Sequence, residues 1–456
     1  MADNFNENAL SQILTTLIEG KKYASIKDVF ETMHAADIAA VLEECEKEVV
    51  PLLFRLLPKE LAADTFVEME EDQQKMLIQG FSDSELKDVV DELYVDDAAD
   101  LVEEMPANVV RRILKQAGPE KRKMINEILK YPEDSAGSIM TTEYVSLRPD
   151  MTVEDAIKRI RRTGVDKETI NTCYVTKPNR KLLGIVTIRT LLLAEENATM
   201  QELMTEEVIS ALTTEDREDV VSDFNKYDLS AMPVVDEENR LVGIVTVDDV
   251  MDVLQEETTE DIEKMAAIIP LDNKPYLKTA TLKMFLSRVP WLLIMMLSAT
   301  FTGLIITHYE NALAVNIALT ASIPMLMSTG GNAGSQSSVT VIRCLSIGEI
   351  EFSDVLKVVW KEIRVAILCG LTLAVVSFLK FMIFDRIGWD VSLVISLTLL
   401  VTVAVAKIVG CTLPMLADKI GFDPAVMASP FITTIIDAVS LMIYVKIAIA
   451  LLGVAS

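Results

Sequence analysis

Residues 428–452 read ASPFITTIIDAVSLMIYVKIAIALL, an apolar stretch long enough to cross a lipid bilayer as a helix. One acidic residue, Asp437, lies near its middle. A carboxylate at the centre of a spanning helix costs about 2.5–3.5 kcal/mol on insertion scales, so such residues normally face a protein interior or a water-filled path. The stretch therefore predicts a membrane protein in which some interaction offsets the cost of Asp437.

The chain divides into an acidic half and an apolar half. Its 456 residues are 50% hydrophobic and carry a formal net charge of −27. Residues 271–456 hold 13 Lys and Arg against 11 Asp and Glu, whereas residues 1–270 hold 29 against 58. The acidic half argues against nucleic acid and anionic lipid surfaces, which need basic patches, and it favours cations as partners. For most of the individual carboxylates, simple solubility is the competing explanation.

Cysteine and histidine usage excludes several kinds of site. The five cysteines are scattered without a CxxC pair, which fits reduced thiols and not a disulfide framework. The two histidines, His34 and His308, are too few for a His-rich metal site or a standard catalytic triad. The acidic half shows no nucleophile–base pair and no cofactor fingerprint, so an enzyme is the least favoured class.

Residues 1–132 predict an acidic, all-α superhelical N-domain. Apolar residues recur there at three- and four-residue spacing, as in an amphipathic helix. The triplet AAD occurs at Ala35–Asp37, Ala62–Asp64 and Ala98–Asp100, each time inside a Glu-rich amphipathic pattern. Stacked helical hairpins would produce such a repeat, although three short matches in an Ala- and Asp-rich segment could arise by chance.

A longer repeat follows. The segment CYVTKPNRKLLGIVTIRTLL, from Cys173, aligns with MPVVDEENRLVGIVTVDDVM, from Met232, at an offset of 59 residues. Each copy predicts a helix, a strand, a polar turn, a GIVT strand and a second helix. This arrangement resembles a tandem pair of CBS domains, at 138–200 and 201–257.

Resemblance to CBS pairs implies ligand sensing, often of adenosine nucleotides such as ATP. A frequent nucleotide-binding feature is Thr followed three residues later by Asp, and Thr246 and Asp249 have this spacing. In the first copy, Thr187 is followed by Thr190 where the Asp would stand. One ribose-binding carboxylate is therefore missing.

Residues 248–269 predict a single helix that leaves the CBS pair towards the membrane. The segment that connects the two parts, a helix and a linker, is expected at 258–285. Like charges at i, i+4 repel by about 0.2–0.5 kcal/mol per pair. We therefore expect this helix to respond to cations, and a solvated connector is the alternative. The crowded acids are Asp249, Asp252, Glu256, Glu257, Glu260 and Asp261.

Residues 286–456 predict a transmembrane domain of five helices. The spans are expected at about 289–308, 312–341, 358–384, 391–414 and 427–453. Basic residues cluster before the first span and in the loop after the second. The positive-inside rule then places the acidic half in the cytoplasm.

On a helix, Asp437 belongs to one polar stripe. Ser429, Thr433, Asp437, Ser440 and Tyr444 follow one another at steps of four, four, three and four residues. Such a stripe resembles the wall of a wet passage. The alternative is a buried polar contact between packed helices.

A second polar cluster lies in PMLMSTGGNAGSQSSVT, residues 324–340. Gly330, Gly331, Gly334 and Asn332 are expected at membrane depth, where the glycines permit a helix break that frees carbonyl oxygens. A GxxxG helix contact is the alternative. The available ligands are carboxylate, amide, hydroxyl and carbonyl oxygens, which suit hard cations such as Mg²⁺. Because five spans are few for a pore within one subunit, we expect a homodimer.

The segments PMLMSTGGNAGSQ and DPAVMASPFITTIID resemble the signature segments of the MgtE family of magnesium channels, and the domain order resembles that family over nearly the whole chain. The resemblance implies that Asp437 is the pore aspartate for hydrated Mg²⁺, with Ser429, Thr433, Gly331 and Asn332 nearby. It also implies a connecting plug helix. Ser440 departs from the family motif, which usually ends in Gly.

The resemblance further implies closure of the pore when cytosolic Mg²⁺ is high. Without Mg²⁺, the acidic halves of a dimer would repel each other, and bound Mg²⁺ would bridge their carboxylates. Closure requires only that Mg²⁺ bind the closed state more tightly. The implied cytosolic sites are Asp216, Glu218, Asp228, Asp249, Asp252, Glu257, Glu260 and Asp261, with Asp96 and Asp100 from the N-domain.

The expected protein is thus a Mg²⁺ channel or transporter in the cell (inner) membrane, with a lipid bilayer and a second copy as partners and no nucleic acid. One alternative is a transporter of another divalent cation, such as Co²⁺ or Mn²⁺. Another is a membrane-anchored CBS nucleotide sensor without transport. Ion competition in a flux assay distinguishes the first alternative from a Mg²⁺ channel. The second alternative predicts that Asp437→Ala leaves activity intact.

Overall fold

The computed structural model describes residues 14, 16–18, 20–165, 167–271, 276–310, 316–427 and 429–453. The chain divides into two compact units, Met1–Val253 and Leu254–Ser456. Each unit has hydrophobic cores of its own.

Helices follow one another with short turns through the described residues up to 130. They are α1 (Tyr23–Phe30), α2 (Ala35–Glu44), α3 (Val50–Phe54), α4 (Lys59–Val67), α5 (Glu71–Gly80), α6 (Asp83–Glu92), α7 (Val95–Glu104), α8 (Ala107–Gln116) and α9 (Pro119–Ile128). Their apolar faces share one core, which includes the fully buried Leu42, Leu77 and Ile113. The three AAD triplets lie in α2, α4 and α7, which confirms that each belongs to a helix.

Two small α/β units follow, each with a three-stranded sheet. The first contains β1 (Ser146–Leu147), α10 (Val153–Thr163), β2 (Thr172–Thr176), β3 (Leu182–Thr187), α11 (Ile188–Leu193) and α12 (Met200–Leu203). The second contains β4 (Ala211–Leu212), α13 (Arg217–Tyr227), β5 (Ala231–Val235) and β6 (Leu241–Thr246). In each sheet, the first pair of strands is parallel and the second is antiparallel.

The register of the two sheets confirms the repeat. Cys173 pairs with Val186 in the first sheet, and Met232 pairs with Val245 in the second, at the predicted offset. The register of each antiparallel pair also shifts at the same place, after Val175 in one copy and after Val234 in the other. The short parallel strands β1 and β4 were not predicted, because two residues are too few to show a period.

A long acidic helix, α14 (Val247–Met265), follows β6. It ends four residues before the predicted boundary, since Ala267 has a positive φ of 55°. Beyond it lie α15 (Thr281–His308), α16 (Ile317–Ser346), α17 (Val355–Ile383), α18 (Trp389–Lys419) and α19 (Ser429–Leu452).

Four segments in the described residues are long and apolar enough to cross a membrane: Thr281–His308, Phe352–Ile383, Trp389–Lys419 and Pro424–Leu452. Helix α16 is not among them, because glycine, serine and amide residues interrupt its apolar sequence. It nevertheless packs in the middle of this unit, where α18 and α19 contact it along much of its length.

The predicted break in α16 is wrong. The helix runs without interruption through Gly330, Gly331 and Gly334, so their carbonyls are not freed as ligands. The glycines instead permit close helix packing, as the GxxxG alternative predicts. A methyl group built on Gly334 would lie 2.8 Å from Ile432 Cγ2, and one built on Gly410 of α18 would collide with the Gly334 backbone.

Candidate functional site

Asp437 lies in the third turn of α19 and is half-buried. Among the described residues, no hydrogen bond or ion pair reaches its carboxylate. Thr433, one turn earlier, is also half-buried, and its hydroxyl donates to the carbonyl of Pro430 at 2.9 Å. Gly331 of α16 lies against Thr433, where an added methyl would be 2.9 Å from Thr433 Cγ2. The structure thus brings Gly331 and Thr433 together, one turn from Asp437.

The other end of the polar stripe is packed and not wet. Tyr444 is 1% exposed, and its hydroxyl donates to the carbonyl of Leu319 at 2.9 Å. Ser440 is also 1% exposed and lies against Gly330. For both residues the prediction of a wet passage is wrong, because α16 covers this face of α19. The alternative of a buried polar contact is right for Tyr444, whereas Ser440 Oγ is buried with no hydrogen-bond partner among the described residues. The side chain of Ser429 lies outside the described residues.

Asn332 occupies a different face of α16 from Gly331. It is exposed and lines a groove of about 480 Å³ between α16, α17 and α18. Thr329, Gln336 and Lys407 line the same groove. Within one chain, Asn332 is therefore not part of the Gly331–Thr433 contact.

A charged cluster that was not predicted lies inside the transmembrane unit. Lys407 of α18, only 5% exposed, donates to Ser337 Oγ of α16 at 3.1 Å. Ser337 in turn donates to Glu362 Oε2 of α17 at 2.6 Å, and Lys407 Nζ lies 3.5 Å from the same oxygen. The sequence feature that could have indicated this cluster is the single lysine, Lys407, within the apolar run VAVAKIVG.

An acidic cleft of about 210 Å³ lies in the N-terminal unit, between the helical domain and the CBS pair. The acids come from α4, α6 and α7, from the loop after α10 and from the start of α14. They are Asp64, Glu68, Glu92, Asp96, Asp97, Glu168, Asp248 and Asp249. Asp96 was predicted as a site residue, and it is 5% exposed with an Oδ1 atom that has no hydrogen-bond partner. Glu168 Oε2, which was not predicted, is likewise unpartnered.

Burial and mutual repulsion raise the pKa values of these acids. Burial, with the charge of Asp249 next in importance, holds the pKa of Asp96 well above its usual range. Burial raises the pKa of Asp249 to about 7, and burial with the charge of Asp248 raises that of Glu168 to about 8. Lys121 supplies some positive charge near Asp96 and Asp97, but it does not offset the burial and repulsion of the whole cluster, and a bound cation would add the missing countercharge.

The remaining predicted regulatory acids do not line the cleft, although the charge of Asp249 acts on Asp100. Asp100 is exposed, one turn after Asp96. Asp216 is the N-cap of α13, where it accepts from the backbone N–H of Glu218 at 2.9 Å. Asp228 follows the end of the same helix with a left-handed φ of 50°. These positions around α13 do not line the acidic cleft.

Further predicted acids lie on α14. Asp252 is exposed, and Glu257 and Asp261 are half-buried. Glu260 forms an ion pair with Lys264 at 2.5 Å. Lys264 also forms an ion pair, at 2.6 Å, with Asp423 in the turn before α19. Among the described residues, no three His, Cys, Asp or Glu side chains converge closely enough to hold a bare metal ion. A cation at these acids would therefore keep much of its water, as Mg²⁺ often does.

The two CBS copies differ at the positions expected to bind nucleotide. Thr246 donates to Asp249 Oδ2 at 2.6 Å, so the second copy has the hydroxyl and carboxylate that a ribose needs. In the first copy, Thr187 and Thr190 share a hydrogen bond between hydroxyls at 2.9 Å, and neither of the two supplies a carboxylate. The residues present fit a nucleotide at the second copy only, and Asp249 there also lines the acidic cleft.

Three family models match the chain. The MgtE model, described as a divalent cation transporter, matches residues 323–447, and the MgtE intracellular N domain matches residues 33–134. The CBS domain model matches residues 136–197 and 200–256. A protein named magnesium transporter MgtE from Thermus thermophilus is 34% identical over 454 residues, which are 98% of this chain and 99% of the relative. The chain belongs to the MgtE family.

Another relative named magnesium transporter MgtE, from Bacillus subtilis, is 31% identical over 99% of both chains. Two solved structures resemble the N-terminal part. The cytosolic domain of the Mg²⁺ channel MgtE in complex with ATP is 34% identical, with a TM-score of 0.51, over 53% of this chain and 99% of that one. The soluble part of a magnesium transporter is 28% identical, with a TM-score of 0.52, over 55% of this chain and 99% of that one.

These findings confirm the predicted family and the order of an MgtE N-domain followed by a CBS pair. The description of the MgtE model as a transporter agrees with the prediction that the chain is not an enzyme. With four apolar helices of membrane-spanning length, this MgtE chain is a multi-pass membrane protein.

Proposed function

We propose that this protein moves Mg²⁺ across the membrane along a path that passes Asp437. The observation that carries the proposal is the carboxylate of Asp437, which is half-buried within an apolar helix and has no hydrogen bond or ion pair among the described residues. Such a charge needs water or a cation nearby. The relatives named magnesium transporters, which align over almost the whole chain, support Mg²⁺ as that cation.

The path is proposed to lie between two copies of the chain. One Asp437 per chain gives two carboxylates around a twofold axis, which suits an ion that keeps most of its water. In the same proposal, α16 is the fifth span: its 30 residues would extend about 45 Å, enough to cross the hydrocarbon core. The basic loops support a cytoplasmic location of the N-terminal domains, and the protein is proposed to lie in the cell membrane.

Cytosolic Mg²⁺ is proposed to close the path by binding in the acidic cleft. Asp96 and Asp249 come from the N-domain and the CBS pair, respectively, and Glu168 joins them there. Their raised pKa values and unpartnered oxygens support a cation requirement when the cleft is closed. Bound Mg²⁺ would favour the closed cleft over an open one. Asp100, Asp252, Glu257 and Asp261 would add weaker contacts.

Helix α14 is proposed to act as the plug that carries this change to the membrane. Its last turn is fixed to the turn before α19 by the pair between Lys264 and Asp423. Met265 packs with Ile342 and Ala425 at the same place. A movement of α14 would therefore act on the start of the helix that bears Asp437. Adenosine nucleotide binding is proposed at the second CBS copy alone, through Thr246 and Asp249.

Mg²⁺ uptake into liposomes tests the path. We expect Asp437→Ala and Asp437→Asn to lose at least tenfold in initial uptake rate, whereas Asp390→Asn, an exposed acid in the first turn of α18, should behave as wild type. Cobalt hexaammine, a mimic of hydrated Mg²⁺, should inhibit wild type. If Asp437→Ala takes up Mg²⁺ at the wild-type rate, the ion path does not pass Asp437. If wild type takes up Mn²⁺ or Co²⁺ faster than Mg²⁺, the alternative of a transporter for another divalent cation is favoured.

A further inference from the structure

Three helices of the transmembrane unit meet at one charged network. Ser337 of α16 donates to Glu362 of α17 at 2.6 Å, and Lys407 of α18 donates to Ser337 at 3.1 Å. The ammonium of Lys407 lies 3.5 Å from the carboxylate, and the two side chains are only 6% and 15% exposed. Each of the three helices thus contributes one member.

Such a network is not needed merely to hold helices together. Charges inside a membrane-spanning bundle are costly, and apolar residues of similar volume often replace a buried ion pair without loss of stability. What a paired network provides is a fixed geometry, because removing one partner leaves the other charge buried and uncompensated. Lys407 and Glu362 therefore point to a requirement for exact helix placement.

The network holds α16, and α16 packs against the part of α19 that bears Asp437. On another face of α16, Gly331 lies against Thr433 and Gly334 lies against Ile432. Ser338, the residue after Ser337, donates to the carbonyl of Met427 at 3.4 Å, in the turn that leads into α19. A shift of α16 relative to α17 and α18 would therefore displace the start of α19.

Lys407 also borders the polar groove that contains Asn332 and Gln336. While Glu362 is ionised, the charge of the ammonium is compensated within hydrogen-bonding distance. Without Glu362, an uncompensated positive charge would stand beside that groove. A cation nearby would then be repelled, in addition to any displacement of α16.

We propose that Ser337, Glu362 and Lys407 are positioning residues of the ion path: their network fixes α16 against α17 and α18 and so holds Gly331 and Thr433 in place beside Asp437. The proposal rests on the proposed transport of Mg²⁺. It assigns the three residues no direct contact with the ion.

Liposome uptake of Mg²⁺ by the full-length protein tests the network. We expect Glu362→Gln and Lys407→Met each to lower the maximal uptake rate at least tenfold. The double variant, which removes both charges, should recover to within about threefold of wild type, because paired charges act as a unit. Lys407→Arg keeps the charge and should also remain within about threefold. A double variant no faster than the single variants would overturn the proposal.

Ser337→Ala tests the same network if the variants of Glu362 or Lys407 do not fold. It leaves both charges in place and removes the only member of the network on α16, and we expect a two- to fivefold lower maximal rate with an unchanged half-saturating Mg²⁺ concentration. Wild-type uptake by folded Ser337→Ala would overturn the link to α16. The matched control is Lys380→Met with Asp385→Asn, which removes an exposed pair 2.9 Å apart at the end of α17 and should change nothing.

Asp437→Ala, measured alongside, separates this proposal from the proposed function. If wild type takes up no Mg²⁺, the proposed function fails. If wild type transports, Asp437→Ala does not, and the network variants match wild type, only the positioning role fails.

Discussion

Gly410 of α18 and Gly334 of α16 touch through their backbones, with no side chain between them. A methyl group on Gly410 would overlap the carbonyl of Gly334, and neither backbone can move away as a flexible side chain would. This crossing sets the closest approach of the two helices. Along α16, Gly334 lies between Gly331, which packs against Thr433, and Ser337, which accepts from Lys407, so the crossing bears on both contacts.

Gly410→Ala should destabilise the transmembrane unit. Overpacking of a tight core costs about 1–3 kcal/mol, which exceeds the gain in helix propensity from glycine to alanine of about 1 kcal/mol at most. We expect a lower melting temperature of the full-length protein in detergent. Gly303→Ala is the control, because a methyl group there meets no atom within 4 Å and should leave the melting temperature unchanged or slightly higher. Equal melting temperatures for both variants would show that Gly410 is not tightly packed against Gly334.

The acidic cleft should loosen as pH rises. The pKa of Asp249 is raised to about 7 and that of Glu168 to about 8, chiefly by burial, whereas both would titrate near about 4 in an unfolded chain. The folded state therefore binds more protons than the unfolded state. The stability that protonation gives is complete below about pH 4 and is lost as pH rises through about 7 to 8.

Hydrogen exchange can measure this loss in the full-length protein. In EDTA, amides of α7 should become less protected between about pH 6 and 8.5, after correction for intrinsic exchange rates, and saturating Mg²⁺ should restore them. Helix α5, which contributes no cleft residue, should not change. Protection of α7 that is independent of pH would show that the cleft acids do not control its packing.

Asp96→Asn should stabilise the N-terminal unit without Mg²⁺ and weaken its response to Mg²⁺. The amide keeps the shape of the side chain but removes a buried charge that faces Asp249. A gain of about 1 kcal/mol would raise the melting temperature by roughly 2–4 °C. Asp37→Asn, an exposed acid of α2, is the control. If Mg²⁺ raised the melting temperature of Asp96→Asn as much as that of wild type, Asp96 would not be a Mg²⁺ ligand.

Lys264→Met should release the end of α14. The variant leaves Asp423 and Glu260 without the ammonium that lies 2.6 Å and 2.5 Å away, respectively. We expect faster proteolysis near residue 265 and a rise of about fivefold in the Mg²⁺ concentration that half-closes the channel, which corresponds to about 1 kcal/mol of coupling.

Lys357→Met provides the comparison for Lys264→Met. It breaks an exposed pair with Asp354 at 2.6 Å, outside the contact between α14 and the turn before α19. Because exposed pairs contribute little, this variant should gate normally. Normal gating by Lys264→Met as well would show that the pair with Asp423 does not transmit the position of α14.

Local patterns in the sequence predicted much of this molecule. The offset of 59 residues places Cys173 and Met232 at equivalent sheet positions, because a duplicated segment repeats its own short-range pairing. The helices that carry the AAD triplets and the apolar spans follow from periodicity and length. The stripe through Asp437 was visible because a single helix fixes its spacing.

Contacts between distant segments could not be predicted in this way. Glu168 reaches the acidic cleft from a loop, and Lys407 meets Glu362 from another helix, so no spacing in the sequence reveals either one. The glycines of α16 were misread as a break because glycine permits both an irregular backbone and close packing. Which of the two occurs depends on the neighbouring helix, here Gly410 of α18.

The uninterrupted course of α16 has a consequence for ion choice. From Gly330 to Gly334 the backbone oxygens are engaged within the helix, so this segment offers no ring of carbonyls to replace a hydration shell. Discrimination would then depend on the diameter and rigidity of the aquo-complex and not on the radius of the bare ion. Calcium, whose shell is larger and looser, would be rejected for the water it carries.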